Sequence, residues 1–264
     1  MQIIGEKING TRKLINKAII EKNSDYIQGL AANQVRCGAD ILDVNAGTSA
    51  ERESEDLIWL VKTVQAATDV QLCLDSPNPE ALSAAMGVVN KPPLINSISA
   101  ESNKMKKVLP LISGNECSVI ALAMDDNGIP KGVEGRMTVI RRLFEDFHSA
   151  GISDERVYID PLVMTIATDN DCGNVALDTV KAVLEEFPKT HITAGASNIS
   201  FGLPARSYIN QAFLTLAIAA GMDSAIIDPT NTHLVATILA AEVVTGKDRH
   251  CINFTGAYRA GKIG

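Results

Sequence analysis

Val70-Gln71-Leu72-Cys73-Leu74 is a short apolar, β-favouring run that stops on an acid, Asp75, and leads through Ser76 to a helix-start proline, Pro79. The same pattern recurs in both directions. Upstream lie Gln2–Ile4 and Ile41–Val44; downstream lie Leu94–Ile95, Val119–Ala123, Val157–Ile159, His191–Ala194 and Ala225–Ile227, which makes eight runs. Between them, apolar residues recur at helical period over Asp25–Cys37, Glu53–Ala67, Pro79–Val88, Asn103–Ile112, Gly135–Ala150, Val175–Phe187, Ser207–Ala220 and Thr232–Val243. Cys37-Gly38 and Phe187-Pro188 supply stop signals. Strict alternation of strand and helix predicts parallel strands joined by helical crossovers.

Each run ends on an acid or an amide: Glu6, Asp43 with Asn45, Asp75, Asn96, Asp125, Asp160, Asn198 and Asp228. Seven steps from Glu6 to Asp228 average about 32 residues, the size of one βα unit. Eight such units take up nearly all of the 264 residues, which predicts an α/β fold of the TIM (β/α)8 barrel type, one domain over 1–264. Singly, an Asp or Asn leaving a strand is a turn former or helix cap, and Asp160-Pro161 and Asp228-Pro229 read that way. Collectively, a barrel brings all eight to one mouth. A mouth of acids and amides, with almost no Lys, Arg, His or Cys, suits a neutral or cationic ligand rich in donors and suits phosphate poorly.

Composition narrows the partners. The formal charge is −7, with 46% hydrophobic and 21% charged residues, as in an ordinary globular protein. The basic cluster Lys104, Lys106 and Lys107 is short, and one Trp, four Tyr and six Phe offer no stacking platform, so nucleic acid is not expected. Five scattered cysteines (Cys37, Cys73, Cys117, Cys172, Cys251) read as reduced thiols of a cytoplasmic protein. Neither a signal peptide nor a membrane span is expected. His148, His191, His233 and His250 show no ligand spacing, so no protein-bound metal is expected. Gly5 to Gly10 and Gly195-Ala196-Ser197-Asn198 are weak matches to a phosphate cradle, and no Gly-x-Ser-x-Gly elbow occurs.

Taken together, six segments resemble the pterin-binding barrel of the methyltetrahydrofolate:corrinoid methyltransferases. They are Ile3-Ile4-Gly5-Glu6-Lys7-Ile8-Asn9-Gly10, Leu42-Asp43-Val44-Asn45-Ala46-Gly47, Leu72-Cys73-Leu74-Asp75-Ser76, Leu94-Ile95-Asn96-Ser97, Tyr158-Ile159-Asp160-Pro161-Leu162 and Gly195-Ala196-Ser197-Asn198-Ile199-Ser200. The resemblance covers essentially the whole chain. It implies a folate site in which Asp75, Asn96 and Asp160 bind the pterin, with Gly195, Ser197, Arg206 and Met124 beside it. Asn198 is implied near N5, the nitrogen that carries the methyl group. A carboxylate accepts the pterin's amino and ring N–H donors in bidentate fashion. Asn198 and Asp160 are the implied catalytic pair, acting by hydrogen bonding and negative potential where positive charge develops on N5. Arg206 is readable as hydrogen-bonding within its loop or approaching the folate tail or corrinoid, and equally as a solvated first-turn arginine. Met124 is readable as core lining, Asp43 and Asn45 as structural, and Glu6 as either.

The substrates implied are tetrahydrofolate and 5-methyltetrahydrofolate, with the methyl group exchanged with the cobalt of a corrinoid (cobalamin). An Asp-x-His-x-x-Gly cobalamin-binding signature and a corrinoid domain are not expected in this chain, so the corrinoid is expected on a separate partner protein. Homodimerisation is implied by the family. The apolar loop Phe201-Gly202-Leu203-Pro204-Ala205 favours the direction that unloads a methyl group onto tetrahydrofolate. Two alternatives stand beside this reading. A dihydropteroate synthase would carry a cation after the seventh-strand serine for its substrate's pyrophosphate, where this chain has Ser197-Asn198. A non-catalytic folate-binding protein would share the strand-end pattern.

Overall fold

The computed structural model describes all 264 residues. Eight strands alternate with helices along the chain: β1 Gln2–Asn9, β2 Ile41–Asn45, β3 Gln71–Asp75, β4 Leu94–Ala100, β5 Ser118–Asp125, β6 Val157–Asp160, β7 His191–Ile192 and β8 Ser224–Ile227. The helices are α1 Lys13–Ile20, α2 Ser24–Arg36, α3 Ala50–Gln65, α4 Pro79–Met86, α5 Ser102–Ser113, α6 Val133–Ser149, α7 Cys172–Glu186, α8 Arg206–Ala220, α9 Thr232–Val244 and α10 Ile252–Arg259. All eight expected strands and all eight expected helices are present; α1 and α10 are additional. No helix is long and apolar enough to cross a membrane.

The strands form one parallel sheet in the order β7-β6-β5-β4-β3-β2-β1-β8. The ends meet through a single bridge between Gly195 and Ile226, with Ile226 N donating to the Ala194 carbonyl at 3.0 Å. Closure is therefore narrowest beside β7, which is only two residues long.

Two apolar compartments hold the barrel. Fifty-nine buried residues fill the shell between strands and helices. A separate cluster of six, Ile4, Ile41, Cys73, Leu94, Ile120 and Tyr158, forms the floor inside the barrel, with Ile226 against it. Side chains on a strand alternate faces, so the residue two positions on points the same way. Two positions beyond these floor residues stand Glu6, Asp43, Asp75, Asn96, Leu122, Asp160 and Asp228. The polar strand ends thus form a layer directly above the apolar floor.

Local signals seat the elements. Asn78 caps α4, accepting from Glu80 N at 3.0 Å, with Pro79 in the first turn; Asn231 caps α9 at Leu234 N, 3.3 Å. The loops after β1 and β2 cross backbone to backbone at Gly10 and Gly47. A Cβ on Gly10 would sit 1.8 Å from the Ala46 carbonyl oxygen, and Gly47 has φ +57°.

Candidate active site

Two interlocked amide–carboxylate pairs organise the mouth. Asn45 Nδ2 donates to Asp75 Oδ2 at 2.9 Å, and Asn96 Nδ2 donates to Asp43 Oδ1 at 3.2 Å. Because Asn96 spends its amino group on Asp43, its carbonyl oxygen is left free. Asp75 keeps its second oxygen free in the same way. Asp160 Oδ1 accepts from Leu162 N at 2.7 Å, closing a tight turn in which Leu162 has φ +60°, while Asp160 Oδ2 makes no hydrogen bond. One layer of the barrel therefore offers unpaired acceptors, Asp75 Oδ1, Asn96 Oδ1 and Asp160 Oδ2 among them.

Electrostatics follow from burial. Desolvation pushes Asp43 up to about 7, helped by the charge of Asp75 and opposed by its hydrogen bond with Asn96. Asp75 is also raised by burial, against the Asn45 hydrogen bond and the charge of Lys104. Burial raises Asp160 to about 6, opposed by the Leu162 N–H and by Arg136. Glu6 is raised by burial against Arg12. Asp228 goes the other way: hydrogen bonds from Thr230 and Lys7 outweigh its desolvation and lower it, with Lys7 Nζ at 2.9 Å. Crowded carboxyls sharing little solvent favour a ligand that donates hydrogen bonds to them.

The turn after β7 supplies a different group. Asn198 lies in the short 3-10 turn Ala196–Ser200, its backbone N–H donating to the Gly195 carbonyl at 3.1 Å. Its side-chain amide is exposed and makes no hydrogen bond. Gly195 leaves room for it, since a Cβ there would stand 3.1 Å from Asn198 Nδ2. Arg206, the first residue of α8, turns back onto this loop: its guanidinium donates to the Ser197 carbonyl at 2.7 Å and to Ser200 Oγ at 3.0 Å, and lies over Phe201. It braces the loop through these two bonds. Met124 is half-buried on β5, on the face of Ile120 and Leu122. Asp125 leaves the ring, accepting Asn127 N at 2.8 Å within its own turn.

Residues 5–228 match the family of pterin-binding enzymes. The chain belongs to that family. Within it, this pterin-binding enzyme is a methyltransferase. It is 41% identical, over its full length and 98% of the other chain, to the methylcorrinoid:tetrahydrofolate methyltransferase of Eubacterium limosum. It is 29% identical to the methionine synthase of Mycobacterium leprae over 85% of this chain, matching 20% of that longer protein. A dihydropteroate synthase structure from Coxiella burnetii superposes with a TM-score of 0.70 at 17% identity, covering 94% of each chain; this shows a shared fold.

One expectation is corrected. The spacing Asp-x-His-x-x-Gly does occur, at Asp146-Phe147-His148-Ser149-Ala150-Gly151. It occupies the last turn of α6 and the residues just after it, at the end of the barrel opposite the polar layer. Phe147 is buried in the core, and His148 pairs with Asp154 at 2.6 Å. With its phenylalanine in the core, its histidine held by Asp154 and its place at the end away from the polar layer, the match is one of spacing alone.

Arg136 was not singled out in the sequence, although it is buried beside the β6 exit. A signal for it existed: Arg136, Ile140, Leu143 and Phe147 recur at helical spacing on one face, and all are buried.

Proposed function

We propose that this chain transfers a methyl group between the cobalt of a corrinoid, carried by a separate partner protein, and N5 of tetrahydrofolate. The observation that carries the reading is the set of free acceptors that includes Asp75 Oδ1, Asn96 Oδ1 and Asp160 Oδ2, above an apolar floor. A pterin presents the matching edge, an amino group and ring N–H donors. The corrinoid, when bound, supplies a cobalt able to hold or release the methyl group. The chain's own residues orient the pterin and manage charge at N5. Asn198, with both amide atoms uncommitted, accepts from a protonated N5 or donates to a neutral one, and the carboxylate layer favours positive charge there. The order of names in the E. limosum relative supports the direction from methylcorrinoid to tetrahydrofolate.

The same reading treats residues 1–264 as one barrel domain working in the cytoplasm, in keeping with five unpaired cysteines. It takes the enzyme to be a homodimer. Support comes from α8, which carries no charged residue after Arg206 and exposes Tyr208 and Leu216; light scattering on the purified protein tests it. For the reaction, anaerobic mixing with tetrahydrofolate and methylcob(III)alamin is expected to bleach the methylcobalamin spectrum and yield 5-methyltetrahydrofolate. Tetrahydrofolate binding without transfer in either direction would instead make the chain a binding module.

A further inference from the structure

Arg136 is 2% exposed, on the first turns of α6, where a guanidinium is expensive to bury unless its donors are matched. Its Nη1 donates to the Pro161 carbonyl at 2.6 Å and its Nε to the Pro130 carbonyl at 3.2 Å. Pro161 follows Asp160 directly, and Pro130 belongs to the loop that leaves β5. One side chain thus ties two neighbouring mouth loops together from behind. Its charge acts on Asp160, the strand-end carboxylate of β6.

We infer that Arg136 is a positioning residue for Asp160: it clamps the β6 exit so that Asp160 Oδ2 faces the mouth, and it keeps that oxygen ionised as an acceptor for the bound pterin. The inference rests on the folate reading for the ligand but not for the electrostatics. Arg136 is the one charged side chain acting on Asp160, alongside the larger influences of burial and the Leu162 N–H. From α7, Cys172 lies near the same guanidinium and is itself raised by burial. From β5, Asp125 is held in its own turn by Asn127. On β7, the titratable side chain is His191, paired with Asp223 at the far end of the barrel.

The test follows the carboxyl signals of 13C-labelled aspartate by NMR as pH is varied, with D160N assigning Asp160. R136Q keeps a donor for the Pro161 carbonyl but has no charge; R136K keeps the charge but loses the two-pronged geometry. In wild type, Asp160 titrates near 6. In R136Q its midpoint rises, and in R136K it stays. Tetrahydrofolate binding by calorimetry then weakens in R136Q by about two- to tenfold at pH 7 and recovers at higher pH, following the ionised fraction. In R136K it weakens equally at every pH. A folded R136Q with an unmoved Asp160 midpoint overturns the inference. If R136Q does not fold, a raised midpoint in R136K overturns it. Should wild type bind no folate while the R136Q midpoint still rises, the folate reading fails and the charge assignment stands.

Discussion

Asp43→Asn is the most informative substitution, because its effect on stability has a calculable sign and size. Asp43 is 3% exposed and hydrogen-bonded to Asn96, and its carboxyl titrates at about 7 in the folded barrel against an ordinary 3.8. Between about pH 4 and pH 7 the native state therefore holds a proton at Asp43 that the unfolded chain has released. Stability falls with pH wherever the native state binds the extra proton, by about 1.4 kcal/mol per pH unit. Over the interval from 3.8 to about 7 this amounts to roughly 4 kcal/mol of destabilisation, complete above pH 7 and absent below pH 4. Asparagine has the same shape, keeps an oxygen for Asn96 and never ionises. Urea unfolding of wild type and D43N at half-unit steps from pH 4 to 8.5 reads the effect of the Asp43 carboxyl together with its repulsion of Asp75. The difference in unfolding free energy is expected to move in favour of D43N as pH rises and to level off above 7. A constant difference across the range would refute the buried-carboxyl account of the mouth.

Three further outcomes are expected. Asn198→Ala lowers methyl-transfer kcat/KM by about 10²-fold, the scale for losing one preorganised hydrogen-bonding group, and weakens tetrahydrofolate binding in calorimetry; unchanged values for both would remove Asn198 from the mechanism. Asp160→Asn abolishes the part of the pH profile in which tetrahydrofolate affinity improves as pH rises through about 6, leaving a flat, weaker binding curve; a wild-type-like profile would exclude Asp160 as the titrating acceptor. Gly10→Ala places a methyl group 1.8 Å from the Ala46 carbonyl oxygen and lowers the melting temperature by at least several degrees, read by circular dichroism; a melting curve like wild type would show that the loop crossing yields easily.

The barrel was legible because a parallel strand buried on both faces must be apolar throughout, so the acid or amide ending each run stood out. The shared layer of Glu6, Asp43, Asp75, Asn96, Asp160 and Asp228 was legible for the same reason, whereas Asp125 and Asn198 lie outside it. Pairings within it were not: nothing local links Asn45 to Asp75 or Asp43 to Asn96, since each contact depends on which strands curve toward each other inside the barrel. Helix α1 was hidden because Ile15, Ala18 and Ile19 span barely one turn of period. Helix α10 buries no residue, so no apolar stripe marked it. Arg136 reads as an ordinary surface charge until the loops after β5 and β6 are in place above it. The Asp146–Gly151 spacing shows the converse, a string of suitable letters that the fold puts at the wrong end of a helix.

The two-residue alternation between floor and polar layer also constrains how such a barrel can change. Deleting one residue from a strand would turn its acid outward toward the helices and its outward apolar residue inward to the cup. Only paired insertions or deletions preserve the polarity of both faces, each moving the polar layer by about 6.6 Å along that strand. The depth of the cup is thus quantised, and a lineage needing a deeper or shallower site has easier routes through its loops than through its strands.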